Sequence, residues 1–199
     1  MSFILGALIS FLGSINPSIL TLTTLKVSLE QGRKAAYLFS TGICIVIAFQ
    51  AFFSLEFASL IKNNPFIEKY IQIAGCIIFS ILSIYFFSLG RGKTPQESSK
   101  TFKNTLWGGA LLAFLNIFSF PFYAGTGLAL NYAGWLQFTP FEMNSFAFGS
   151  AVGSFGFLFL IANYSEWIAT KISLLTNNIN YILGGLTGFV AVITLISLY

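Results

Sequence analysis

Two short polar interruptions in long apolar stretches hold the residues of this chain best suited to chemistry. The first contains Ser14, Asn16, Pro17 and Ser18. The second contains Asn116, Ser119, Pro121, Tyr123 and Thr126. A Pro inside a helix removes a backbone hydrogen bond and clashes with the turn before it. In hydrocarbon the freed carbonyls find no water, so protein groups must satisfy them. Asn amides and Ser hydroxyls can do so. The exposed half-helix ends are also ligand sites: N-termini attract a carboxylate and C-terminal carbonyls attract an ammonium. The chemistry on offer is non-covalent binding of a small polar or zwitterionic solute. The bland alternative is a pair of structural kinks, with Tyr123 packed in a core.

The two interruptions belong to a repeat. Gly6-Ala7-Leu8-Ile9-Ser10-Phe11-Leu12 precedes Pro17, and Gly109-Ala110-Leu111-Leu112-Ala113-Phe114-Leu115 precedes Pro121. Five of the seven positions are identical. An apolar segment interrupted at matching places in both halves points to the binding site of a transporter built from two repeats. The interval to Pro is one residue longer in the second copy, which predicts a local bulge there. Gly125 and Gly127 are expected to loosen the turn after Pro121.

The elements that must position these residues are membrane spans. Of 199 residues, 56% are hydrophobic and only 8% charged. A soluble domain carries about 25% charged residues. A helical span needs about 20 apolar residues. Six such stretches are expected, roughly Phe3 to Leu25, Ala35 to Ile61, Phe66 to Leu89, Leu106 to Tyr132, Phe141 to Ala162 and Asn178 to Leu198. Their continuous apolar runs argue helices rather than barrel strands. The first stretch lacks a basic n-region and a cleavage site, so it is read as a retained span, not a signal peptide.

Charge sets the expected orientation. The first, third and fifth connections carry eight Lys or Arg, the second carries two, and the fourth none. The positive-inside rule puts the odd connections in the cytoplasm and both termini outside. Three spans per half is an odd number, so the second half enters from the opposite face and the repeat is inverted. The expectation is an all-α polytopic membrane protein: one transmembrane domain over 1–199, with repeat one about 1–89, a cytoplasmic linker about 90–105, and repeat two about 106–199. The net charge of +4 reads as orientation in the bilayer, not as nucleic-acid binding. Trp135 and Trp167 fit interfacial anchors, and Tyr164 to Leu175 reads as a short amphipathic stretch at the cytoplasmic face.

Other polar residues are weighed singly. Glu56 is the one carboxylate well inside an expected span, which makes it a candidate for proton coupling; near the span end it could instead reach the interface. Gln50, deeper in that span, could hydrogen-bond across helices. Small residues recur at a spacing of four: Gly6, Ser10 and Ser14; Gly149 and Gly153; Gly184 and Gly188. These rows read as close helix packing. Cys44 and Cys76 read as small buried hydrophobes. With no His and six scattered carboxylates, no metal site and no cofactor are expected. No phosphate-binding loop or catalytic triad appears, so neither ATP-driven pumping by this chain nor enzymatic activity is expected.

This organisation resembles the LysE-type translocators, the amino-acid exporters. The first break, Pro17-Ser18-Ile19, stands where that family usually has Pro-Gly-Pro, and Gly32-Arg33 closes the stretch after it. In the fourth span Gly109 precedes Asn116-Ile117, with the Pro displaced to Pro121. The resemblance covers nearly the whole chain, with degenerate motifs. It implies proton-driven secondary export of amino acids or similar small polar metabolites from a bacterial cell through the inner membrane. It implies a site lined by Asn16, Pro17, Asn116 and Pro121; Ser18 and Tyr123 join them from the residue reading. The implied partners are a small-molecule substrate and the lipid bilayer; a homo-oligomer is left open. Two rivals remain: a membrane assembly or scaffold protein, and a thiol–disulfide carrier of related architecture, although both Cys lie in the first half, away from the Pro breaks.

Overall fold

The computed structural model describes residues 1–15, 18–64, 80–81, 84, 105–116 and 118–176. Most of the expected third span, the whole of the sixth, most of the central linker, Asn16, Pro17, Cys76, Gly184 and Gly188 lie outside them. The chain divides into two compact units: Met1–Leu60 with Ser99–Thr170, and Ile61–Ser98 with Lys171–Tyr199. The helix seams and buried polar groups described for this protein belong to the first unit.

The described residues form seven helices and no strand: α1 (Ser2–Gly13), α2 (Ile19–Gln31), α3 (Arg33–Lys62), α4 (Thr105–Phe114), α5 (Ser119–Tyr132), α6 (Pro140–Asn163) and α7 (Ser165–Thr176). Local chemistry sets their ends. Ser18 caps α2, its Oγ accepting the Thr21 N–H at 3.4 Å. Thr139 caps α6 in the same way, accepting from Glu142 N at 3.4 Å, with Pro140 in the first turn. That turn suits Pro, whose missing N–H would be unpaired there anyway. Gly134, at φ +75°, ends α5 in a Schellman turn: Trp135 N donates to Leu130 O at 2.9 Å and Gly134 N to Asn131 O at 3.0 Å. Only glycine takes that conformation without steric cost.

α3 and α6 are long and apolar enough to cross a membrane. On α3, Leu38, Ile45, Phe49, Phe53 and Leu60 stand exposed, while Phe39, Ile43, Ile47, Ala51 and Leu55 are buried. Both faces are therefore apolar. A helix in water keeps its outer face polar, so the outer face of α3 is built for lipid.

The expected first and fourth spans are each two helices. α4 and α5 meet at a bend of 62°. The break lies at Leu115 to Phe118, upstream of Pro121, which sits in the first turn of α5. This corrects the expectation of a break at Pro121: in a first turn the missing N–H costs no helical bond, so this Pro starts the second half-helix. A four-residue break also replaces the expected bulge. Nor is the segment at Gly125 and Gly127 loosened. α5 runs through both, and a Cβ on Gly127 would collide with Leu55 Cδ2.

Glycines bring pairs of helices to backbone contact. A Cβ added to Gly6 would strike the Phe146 carbonyl, one on Gly149 the Phe3 carbonyl, and one on Gly153 the Ala7 carbonyl. This is the α1–α6 seam. At the α3–α4 seam a Cβ on Gly42 would strike the Leu106 carbonyl, and one on Gly109 the Phe39 carbonyl. Without a strong hydrophobic drive between helices in lipid, such close approach is a principal source of packing.

Candidate functional site

Four buried hydroxyls, those of Ser10, Tyr123, Ser150 and Ser154, converge where α1, α5 and α6 meet. Ser10 Oγ lies 2.6 Å from the Tyr123 hydroxyl and 2.6 Å from Ser154 Oγ. Ser14 Oγ donates to the Ser10 carbonyl at 2.7 Å and lies 3.5 Å from Ser154 Oγ. Ser150, one turn before Ser154, is fully buried, and its Oγ lies within no hydrogen-bond distance and angle of a partner among the described residues. Its neighbour is Tyr123. Tyr123 is itself only 4% exposed, packed edge-on against Phe146 at 6.4 Å.

The sequence folds this way for a local reason. Gly149-Ser150 and Gly153-Ser154 lie one turn apart on α6. The glycines hold the α1 backbone close, and each following Ser is carried about 100° around the helix. A buried hydroxyl without a partner costs stability, so the cluster persists by mutual bonding, except at Ser150.

A second polar point lies beside the α4–α5 break. Gln50 Nε2 donates to the Ala113 carbonyl at 3.0 Å. Asn116 N donates to that same carbonyl at 3.1 Å. Asn116 Nδ2 donates to Ser119 Oγ at 3.0 Å, closing a small turn across the break. Gln50 Oε1 is buried without a partner among the described residues. Near the N-terminus of α1, Glu142 Oε2 accepts from Ser2 Oγ at 3.1 Å and from Gln137 N at 2.7 Å. It lines a cavity of about 470 Å³ with Trp135, Phe141 and Ser145.

Of the residues expected to form the site, Tyr123 joins a buried cluster. Asn116 is tied into its own break. Ser18 serves as the α2 cap. Pro121 is exposed in the first turn of α5, and Asn16 and Pro17 lie outside the described residues. Glu56 is half-buried and makes no hydrogen bond or ion pair among the described residues. Cys44 is a buried free thiol. Among the described residues no three His, Cys, Asp or Glu side chains group to hold a metal. Residue reading missed Ser154 and Ser150, and took Ser10 for packing alone. The available signal was a Ser beside each glycine of the Gly149–Gly153 row.

Apolar helices with apolar outer faces, a span broken into two half-helices and a polar cluster buried among the helices define a helical membrane protein. A family model gives the particular assignment. The chain belongs to the LysE type translocator family, whose model matches residues 11–198. It is accordingly a membrane transport protein. No curated protein and no solved structure matches it.

Proposed function

We propose that this chain is a secondary active exporter of amino acids or similar small polar metabolites, proton-coupled, in the bacterial inner membrane. It has six spans in two inverted three-helix repeats, with both termini outside. Asn16, Pro17, Ser18, Asn116, Pro121 and Tyr123 line or support the site, Glu56 is the candidate proton carrier, and transport involves no covalent step.

The observation that carries this reading is a repeated seam. Phe3 and Gly6 of α1 stand 103 positions before Leu106 and Gly109 of α4. Phe39 and Gly42 of α3 stand 107 positions before Phe146 and Gly149 of α6. The close approaches follow the same correspondence. Gly6 meets Phe146 as Gly109 meets Phe39, and Gly149 meets Phe3 as Gly42 meets Leu106. Each half thus lends its first helix to the second helix of the other half. A two-fold relation between halves produces that exchange, and such a relation puts a site where the halves meet. The Ser10–Tyr123 bond lies at such a meeting, joining a first-half helix to one from the second.

The test is efflux from cells loaded with dipeptides that release single amino acids inside. The wild-type chain is compared with Asn16→Ala plus Asn116→Ala. Faster release of one amino-acid group with wild type alone supports the reading and names the group. Release no faster than from empty cells across the panel overturns amino-acid export.

A further inference from the structure

We propose that Gln50 is a substrate-binding residue, its Oε1 accepting a hydrogen bond from the amino group of the transported solute. This rests on the exporter reading above and adds the chemical group that is recognised.

Gln50 stands apart from the other polar side chains of the middle of α3. Ser40, Thr41 and Ser54 each turn their hydroxyl back to a carbonyl of their own helix, at 2.8, 2.9 and 2.6 Å. Such bonds satisfy the hydroxyl locally. Gln50 instead reaches across to Ala113 on α4, in the last turn before the break. α3 also runs along the second half-helix: the rings of Phe57 and Phe120 are 5.6 Å apart, and Leu55 packs on Gly127. Gln50 therefore sits in the wall against which both halves of the broken span lean.

The repeat offers a direct comparison. Ser10 and Ala113 are 103 residues apart and occupy corresponding positions. Ser10 is held by Ser154 from its long partner helix, and the Ala113 carbonyl by Gln50 from its own. At the first seam the fastening groups are hydroxyls, each able to donate and accept. At the second, the amide donates to the carbonyl. That contact fixes which end is which, because a carbonyl cannot accept from Oε1. The carbonyl end of the amide is left buried and, among the described residues, unbonded, held in place by its own Nε2–H. An acceptor locked in orientation, beside a helix break and without a donor among the described residues, suits a ligand that brings N–H donors and no strong acceptor at that point. An ammonium group does so; a hydroxyl or an ester matches it less well.

The test uses the full chain in proteoliposomes loaded with matched pairs: alanine, leucine and lysine, each beside the 2-hydroxy acid that replaces its amino group by hydroxyl. Wild type is expected to release the amino member of a transported pair at least about 10-fold faster, since hydrogen bonds to charged groups discriminate by roughly 10- to 100-fold. Gln50→Met, similar in length, is expected to lose that preference while reaching the membrane in normal amount. Gln50→Glu keeps an acceptor and is expected to retain it. A merely structural Gln50 would slow both members of a pair alike and leave the ratio unchanged. That outcome overturns the proposal, as does a wild type that moves both members equally, which would be the result if Oε1 only held a water. A wild type that moves nothing in the panel overturns the exporter reading itself, and this inference with it.

Discussion

Ser10 Oγ and the Tyr123 hydroxyl lie 2.6 Å apart across 113 residues of sequence. The bond fastens α1 to α5, which follows the second interruption. Removing the phenol oxygen leaves Ser10 bonded to Ser154, so the cluster loses one contact rather than collapsing. Tyr123→Phe is expected to cost about 0.5–1.5 kcal/mol, in line with interhelical hydrogen bonds in membranes. Thermal unfolding in detergent measures the cost. Efflux should fall several-fold; unchanged efflux would leave the bond with only a structural role.

Gly149 and Gly125 offer a controlled comparison on two helices. A Cβ at Gly149 runs into the Phe3 carbonyl, whereas nothing lies within 4 Å of one at Gly125. Gly149→Ala must push α1 away from α6, a shape change costing about 1–3 kcal/mol or more. Gly125→Ala is expected to be neutral or to stabilise by up to about 1 kcal/mol, the helix propensity difference. Folded yield and melting temperature in detergent decide. Equal losses at both sites would contradict the seam as described.

The repeated seam makes its own prediction. Gly42→Ala and Gly109→Ala clash with the Leu106 and Phe39 carbonyls just as Gly149→Ala and Gly6→Ala clash with those of Phe3 and Phe146. The four single variants should lose comparable stability, within a factor of about two, the usual contextual spread for overpacking. A large, one-sided difference between the seams would argue against equivalence of the halves.

Glu142 ties the start of α1 to the loop before α6 through Ser2 and Gln137. Glu142→Gln keeps the shape but weakens two charge-assisted bonds. A loss of about 1 kcal/mol is expected, at the low end for hydrogen bonds to charged groups because the site is partly open to solvent. Export at saturating substrate should be unaffected. A large drop in transport at normal membrane levels would bring the adjoining cavity into the transport path.

The orientation drawn from loop charge is open to labelling. With Cys44 and Cys76 changed to Ala, Thr139→Cys should react with a membrane-impermeant maleimide in intact cells, and Glu30→Cys only after lysis. The reverse pattern would place the termini in the cytoplasm and invert the expected topology.

Much of the scaffold was legible in composition and pattern. α3 and α6 end within two residues of the stretches expected for them, because long apolar runs leave a helix in lipid as the only structure that satisfies its backbone. The helix at Ser165–Thr176 likewise coincides with the amphipathic stretch read after the fifth span. The second break was found but misplaced: Pro121 drew attention to the right region, yet Pro is compatible with a first turn, and the chain parts upstream, at Leu115 to Phe118.

The sequence alone determined that this chain lives in a membrane, that its helices are long and apolar, and that two matching segments are interrupted. Those properties depend on local composition and on spacing along one chain. Tertiary structure decided which polar groups meet. Ser10, Tyr123 and Ser154 are far apart in sequence and come together because glycines on α6 admit the α1 backbone. Gln50 finds Ala113 because α4 stops there, leaving that carbonyl room for a second donor beside Asn116 N. No local pattern encodes either meeting, since each depends on which helix faces which once side-chain volume has been removed at the seams.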